Sequence, residues 1–181
     1  MSNVKPLCVD LDGTLIFDDM VPKSIYLLLK KNIFYIFLFP FWMFKGFAYV
    51  KRQVAKRVEF DPASLPYNQT LLGFINQQRQ LKRKVLLVTA SDQLIAEKIA
   101  NFLGIFDEVI GSDAVVSYSG VRKLKKLQEK FGVEGFDYAG NAYVDLKVWA
   151  GSHEIIIVSD DACLIKKAEK LNKRVTVFKG I

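Results

Sequence analysis

The chain has few of the residues that build covalent or metal scaffolds. Its 181 residues include two cysteines, Cys8 and Cys163, and a single histidine, His153. That excludes a disulfide framework, a cysteine-built zinc site and a multi-histidine metal centre. Acidic residues are missing from one long stretch, with no Asp or Glu between Met20 and Val58. A membrane-spanning helix needs roughly 20 apolar residues. The longest run here, Ile33–Phe44, is twelve residues with Pro40 inside, so a span is not expected. There are no internal repeats or low-complexity tracts. The opening Met1-Ser2-Asn3-Val4-Lys5-Pro6 has no small-residue cleavage pattern, so no signal peptide is expected.

What is present is enough for one folded domain. Hydrophobic residues make up 51% of the chain and charged residues 25%, which excludes a disordered tail. The formal charge is +7, and its placement is informative. Lys23, Lys30, Lys31, Lys45, Lys51, Arg52, Lys56 and Arg57 all fall in the acid-free stretch, leaving 18 basic residues against 19 acidic ones elsewhere. The same stretch carries 10 of the 23 aromatics. A near-neutral body is thus joined to a basic, aromatic insert covering 20–58.

The body, 1–19 and 59–181, reads as alternating strands and helices. Strands are expected at Leu7–Val9, Val85–Val88, Glu108–Ile110, Phe136–Ala139, Ile155–Val158 and Val175–Val177. Helices are expected over Tyr67–Leu81, Asp92–Leu103 (N-capped by Ser91, ending at Gly104), Val121–Phe131 and Ala162–Leu171. Continuous apolar strands alternating with helices predict an α/β fold, a parallel sheet covered on both faces. Chemistry in such sheets gathers at the carboxyl ends of the strands. The insert reads as a helical hairpin, Pro22–Leu38 and Phe41–Val58, interrupted by Pro40.

Asp10-Leu11-Asp12-Gly13-Thr14-Leu15 follows the first strand. Two carboxylates at a strand end suit phosphoryl transfer: one attacks phosphorus, the other protonates the leaving oxygen and later activates water. Such a pair, facing a phosphate, needs a cation, and Mg²⁺ with its oxygen preference fits. Thr89 ends the second strand before free N–H groups at a helix start, an anion site that includes Ala90. Gly120-Val121-Arg122-Lys123 puts a lysine at a helix start, and Gly140-Asn141-Ala142-Tyr143-Val144-Asp145 follows another strand.

In this order and spacing the four segments resemble those of the haloacid dehalogenase (HAD) superfamily. The resemblance covers essentially the whole chain. It implies a Rossmann-like parallel sheet with a small helical cap inserted after the first strand. It also implies Asp10 as nucleophile, Asp12 as acid and base, Thr89, Ala90 and Lys123 as phosphate ligands, and Asp10, Asp12 (through its carbonyl), Asn141 and Asp145 at a Mg²⁺ ion. One departure stands out. The family's fourth motif has Asp where this chain has Asn141, which keeps an oxygen donor but loses a charge. A weak-metal enzyme, a non-catalytic relative and an altered chain all remain open. Asp160-Asp161 is a lesser acidic pair, read as a helix N-cap with a first-turn acid.

Asp61-Pro62-Ala63-Ser64-Leu65-Pro66-Tyr67-Asn68, Thr89-Ala90-Ser91-Asp92, Gly135-Phe136-Asp137-Tyr138-Ala139-Gly140 and Asp145-Leu146-Lys147-Val148-Trp149 resemble a particular HAD branch. That branch is fused ahead of membrane prenyltransferases of the 4-hydroxybenzoate polyprenyltransferase type. The chain would then be a stand-alone relative or an excised domain, with a membrane prenyltransferase as a candidate partner.

For the insert, a buried cap or dimer interface would explain the apolar residues but not the cations. An interfacial hairpin explains both. Phe34, Phe37, Phe41, Trp42 and Phe44 would lie in the lipid interface, and Lys30, Lys31, Lys45, Lys51 and Arg52 would meet anionic headgroups. Nucleic acid is not expected, because Phe34–Phe39 leaves no polar groove. The expectation is a Mg²⁺-dependent phosphomonoesterase, peripheral or monotopic on the cytoplasmic side of a membrane. Its substrate would be a lipid-linked phosphate, such as a polyprenyl-phosphate sugar phosphate or phosphatidylglycerophosphate. A non-catalytic docking module and a soluble small-metabolite phosphatase are the alternatives. His153, Cys8, Cys163 and Trp149 are read as structural.

Overall fold

A computed structural model describes residues 4–180. Met1–Asn3, on which part of the signal-peptide reading falls, lie outside the described residues. Six parallel strands form one sheet: β1 Leu7–Val9, β2 Val85–Asp92, β3 Glu108–Ser112, β4 Asp137–Gly140, β5 Glu154–Val158 and β6 Arg174–Phe178. Their spatial order is β3-β2-β1-β4-β5-β6, a doubly wound arrangement. The chain leaves β1 toward β2 on one side and later returns to place β4 on the other. The crevice outside the ends of β1 and β4 is therefore where a ligand site is expected.

Alternation along the buried strands builds two cores. Leu7, Val9, Val85 and Leu87 face one layer, with Ile75, Ile95 and Ile99 from the covering helices. Cys8, Leu86, Tyr138, Ile155 and Ile157 face the other, with Leu127, Trp149 and Leu164. These helices, in the labels used below with the cap, are α4 Gln69–Gln80, α5 Gln93–Leu103, α6 Val121–Phe131, α7 Leu146–Trp149 and α8 Ala162–Glu169. The expected fold class stands. The N-cap of α5 is one residue later than the sequence suggested. Asp92, not Ser91, accepts from the Leu94 N–H at 3.0 Å, because β2 runs on to Asp92 and carries Ser91 within it.

The insert departs from a two-helix hairpin. It comprises α1 Met20–Lys31, a 3₁₀ segment Ile33–Leu38, α2 Phe39–Met43 and α3 Phe47–Ala55. The first break is at Asn32, whose side chain caps the 3₁₀ segment by accepting from the Phe34 N–H. Pro40 sits in the first turn of α2, where its missing N–H costs nothing, so it starts a helix rather than ending one. The return comes at Gly46, whose φ of +94° favours glycine. The pieces close on a small core of their own, Leu28, Trp42, Val50 and Val54. Trp42 is only 7% exposed, with Phe39 at 5.3 Å between ring centroids and the Arg57 guanidinium 5.2 Å above its ring. It is therefore a cap-core residue, not the lipid contact the sequence suggested. No helix among the described residues is long and apolar enough to cross a membrane.

Candidate active site

The segment after β1 turns tightly. Gly13 has φ +70°, and a Cβ there would lie 2.1 Å from the Asn141 amide nitrogen. Only glycine lets the loops after β1 and β4 close on each other. The Asp10 N–H donates to the Ala139 carbonyl at 2.9 Å, and the Thr14 hydroxyl donates to Asn141 Oδ1 at 3.1 Å.

Asp10 is held at both oxygens. Oδ1 accepts from the Leu11 N–H at 2.8 Å, and Oδ2 pairs with Lys123 Nζ at 2.9 Å. Lys123, almost fully buried at the start of α6, also donates to the Tyr138 hydroxyl at 2.6 Å, and that hydroxyl donates to Asp145 Oδ1 at 3.0 Å. The other Asp145 oxygen accepts from the Asn141 and Ala142 N–H groups at 3.1 and 3.0 Å. Asp145 thus holds the loop after β4, and both its oxygens are engaged within the protein. Burial raises the Asp145 carboxyl above its usual range, with the charge of Asp10 adding to it. Burial likewise drives the Tyr138 phenol well above the usual tyrosine range.

Asp12 points away from that cluster, toward the cap. It accepts from the Met20 N–H at 2.7 Å, the Ser91 hydroxyl at 2.7 Å and the Thr89 hydroxyl at 3.2 Å. Desolvation outweighs these donors and pushes its pKa up to about 6. Two carboxylates of one turn therefore have different surroundings: Asp10 is ion-paired, and Asp12 is raised toward neutrality. Such separation is what a nucleophile and an acid/base pair require.

The cleft above them measures about 750 Å³. Asp10, Asp12, Asp18, Asp19 and Asp160 contribute to its wall, with Ala90 and Asn141, and among the described residues no Lys or Arg lines it. Asp161 caps α8, accepting from Cys163 and Leu164, so the acidic pair splits into a cap and a cleft residue. Thr89 is fully buried beside Ala90.

Among the described residues no three His, Cys, Asp or Glu side chains are grouped to hold a metal ion. The available donors are all oxygens: the Asp10 carboxylate, the Asp12 carbonyl and the Asn141 amide. Facing a cleft walled by carboxylates, this set fits a hard divalent cation held with less protein charge than three carboxylates would give.

Three participants escaped the sequence reading. Ser91 bonds Asp12, Tyr138 bridges Lys123 and Asp145, and Lys51 of α3 donates to the Ala90 carbonyl at 2.6 Å and the Ser117 hydroxyl at 2.8 Å. Tyr138 had a signal, since a tyrosine in a fully buried strand needs a partner for its hydroxyl. Lys51 and Arg52 do not extend to lipid. Arg52 Nε pairs with Asp92 at 3.0 Å, and both cations seat the cap on the end of β2. Lys31 reaches Glu59. By contrast Phe34, Phe37, Phe41 and Phe44 are exposed, Phe44 at 89%. Lys30 and Lys45 are exposed beside them, Lys45 with its ammonium 5.0 Å from the centre of the Tyr49 ring.

No family model matches the chain. A substrate-bound phosphoserine phosphatase superposes with a TM-score of 0.61 at 15% identity, covering 91% of this chain and 90% of that one. The 3-deoxy-D-manno-octulosonate 8-phosphate phosphatase of Moraxella catarrhalis, solved with magnesium, phosphate and the sugar, superposes at 0.52 and 14% identity, covering 96% and 76%. The chain therefore has the HAD-type α/β fold of these phosphatases. In sequence it is similar to an uncharacterized protein of Sinorhizobium fredii, 38% identical over 164 residues and 86% of this chain. It spans about a third of that relative's length, 30%.

Proposed function

We propose that the chain is a metal-dependent phosphomonoesterase working at an anionic membrane surface on a lipid-linked phosphate. The observation that carries the catalytic half is the pairing of Asp10 with Lys123 beside a separately housed Asp12 of raised pKa. Asp10 attacks phosphorus as the bond to the ester oxygen breaks, giving an aspartyl phosphate. Protonated Asp12 delivers its proton to that leaving oxygen. As a carboxylate it then takes a proton from water, which attacks phosphorus and frees phosphate and Asp10. Lys123, beside Asp10, and N–H groups at the end of β2 would meet the charge on the phosphoryl oxygens, while the Thr89 hydroxyl, buried behind them, holds Asp12. A divalent cation held by Asp10, the Asp12 carbonyl and Asn141 would offset the carboxylates and the phosphate dianion. Mg²⁺ is the ion of choice for such oxygen donors.

The membrane half rests on Phe34, Phe37, Phe41 and Phe44. All four are exposed in one acid-free segment of the cap with Lys30 and Lys45. Aromatics at the acyl boundary and cations at the headgroups are what an interfacial segment presents. A polyprenyl-phosphate sugar phosphate and phosphatidylglycerophosphate are the substrates of choice. The resemblance to domains fused to membrane prenyltransferases favours the former, with such an enzyme as partner. Asn141 favours a second reading, a non-catalytic module docked on a membrane enzyme.

The test is metal-dependent phosphate release from an aryl phosphate and from both lipid phosphates in anionic vesicles, with this chain, Asp10→Asn and Asn141→Asp. Release that requires Asp10 and is faster on vesicles is the expected result. Release only with Asn141→Asp, or none at all, would transfer the argument to the docking module. Equal release with and without lipid would favour a soluble metabolite as substrate.

A further inference from the structure

The basic residues of the insert have two destinations, and one of them is the site itself. Lys51 lies on α3, is 7% exposed, and its ammonium donates to the carbonyl of Ala90, the residue directly after Thr89. The same carbonyl accepts from the Ser112 hydroxyl at 2.7 Å. One peptide plane, Ala90–Ser91, is thus gripped by a cation from the cap and a hydroxyl from β3.

That plane governs its neighbours. Its own N–H, on Ser91, donates to Thr89 Oγ1 at 2.9 Å, and the Ser91 hydroxyl donates to Asp12. Rotating the carbonyl away from Lys51 would rotate this N–H as well, releasing the Thr89 oxygen and moving Ser91 off the carboxylate. Arg52, one residue on, holds Asp92 at the N-terminus of α5. Two adjacent cap residues therefore bracket the irregular end of β2, where its register against β3 shifts between Val88 and Asp92 before the chain turns into α5.

We infer that Lys51 is a positioning residue through which the seated cap sets the geometry of the phosphate-binding end of β2 at Thr89–Ser91. Its arrangement in the fold stands on the contacts alone; its consequence for turnover rests on the phosphatase reading. The burial of a lysine ammonium against a carbonyl and a hydroxyl, with no carboxylate among the described residues bonded to it, agrees with a task beyond holding charge. Desolvation lowers the Lys51 pKa, so the burial carries a cost that a solvent-facing lysine would avoid.

The test compares wild type with Lys51→Met, which keeps the stem and removes the donor, and with Ser112→Ala, which removes the second donor, and with it the acceptor of the Tyr118 N–H, while leaving the backbone carbonyl that Arg52 of the cap reaches. Amide exchange is read over Val88–Gln93, with the amides of β4, β5 and α3 as internal references. Each variant should speed exchange at the turn by roughly tenfold, the worth of about one charge-assisted or buried hydrogen bond, and leave the references unchanged. In turnover, Lys51→Met should raise KM for an aryl phosphate and the inhibition constant for inorganic phosphate together. Unchanged exchange at the turn overturns the inference. So does a rise spread over α3 and the sheet, since that is what a merely structural lysine would produce. Raised exchange at the turn in a chain without phosphatase activity would refute the phosphatase reading and leave the positioning role standing.

Discussion

The two sides of the cap are built from one composition and do opposite things. On the inner side, Lys51 and Arg52 reach Ala90 and Asp92, Trp42 and Val54 fill a small core, and every named group has a partner in the protein. On the outer side, Phe34, Phe37, Phe41 and Phe44 stand in solvent beside Lys30 and Lys45. Both sides mix aromatic and basic residues, so residue type cannot separate them. Helical phase does. Val50, Lys51 and Val54 lie on the inward stripe of α3, and Trp42 faces inward from the short α2 while Phe41 and the C-cap residue Phe44 face outward. In this proposal the inner side serves the chemistry of the sheet, and the outer side determines where that chemistry happens.

The comparison breaks first if the chemistry does not reside in the sheet. Asp10→Asn keeps the size of the side chain and removes the nucleophile and its pair with Lys123. Phosphate release should fall by at least about a thousandfold, roughly 4 kcal/mol of transition-state stabilisation. Vesicle binding should be untouched. If the substitution abolished vesicle binding instead, the outer side would not be an independent surface.

Trp42 and Phe44 sharpen the contrast within four residues of sequence. Trp42→Ala should cost about 3 kcal/mol of stability or of cap closure, since it empties the cap core and removes the stacking under Arg57. Phe44→Ala should leave thermal unfolding within about 0.5 kcal/mol of wild type, the usual range for a surface substitution, and weaken sedimentation with anionic vesicles. Equal unfolding behaviour of the two variants would show that the cap core is not formed. Gly13→Ala tests the junction of the two site loops. Its left-handed φ and the clash with Asn141 should together cost about 1–3 kcal/mol, read as lowered unfolding temperature and lost metal-dependent activity.

Much of this is legible in the amino-acid sequence alone. Short, mostly apolar strands running into Asp10, Thr89 and Gly140 specify both the sheet and the edge on which the site lies, because buried parallel strands leave little room for polar residues except at their ends. What was not legible depends on three-dimensional pairing. Whether Lys51 meets a lipid phosphate or the Ala90 carbonyl depends on how α3 rotates against β2. Whether Trp42 is a lipid anchor or a core residue depends on Asn32 and Gly46 dividing the insert into short pieces, where the sequence suggested one break at Pro40. Tyr138 sits between Asp137 and Ala139 in a short strand, and its partners, Lys123 and Asp145, lie 15 and 7 residues away.

The smallest expected effect is the most specific to the outer side. Lys30 and Lys45 are exposed, and neither lines the cleft above Asp10 and Asp12. Changing either to Gln removes one charge while keeping a polar side chain. Against vesicles containing anionic lipid, each cation near the surface is worth about 1 kcal/mol, so each single variant should bind roughly fivefold more weakly and the double variant roughly 25-fold. Against neutral vesicles the variants and the parent should bind alike, since only the aromatics contribute there. Raising the salt should shrink the difference, because exposed charges are screened beyond about 10 Å at 0.1 M. Aryl phosphate turnover without lipid should be the same for all four proteins. A charge variant that slowed soluble turnover would connect the outer side to the catalytic turn, and the division between the two sides of the cap would have to be redrawn.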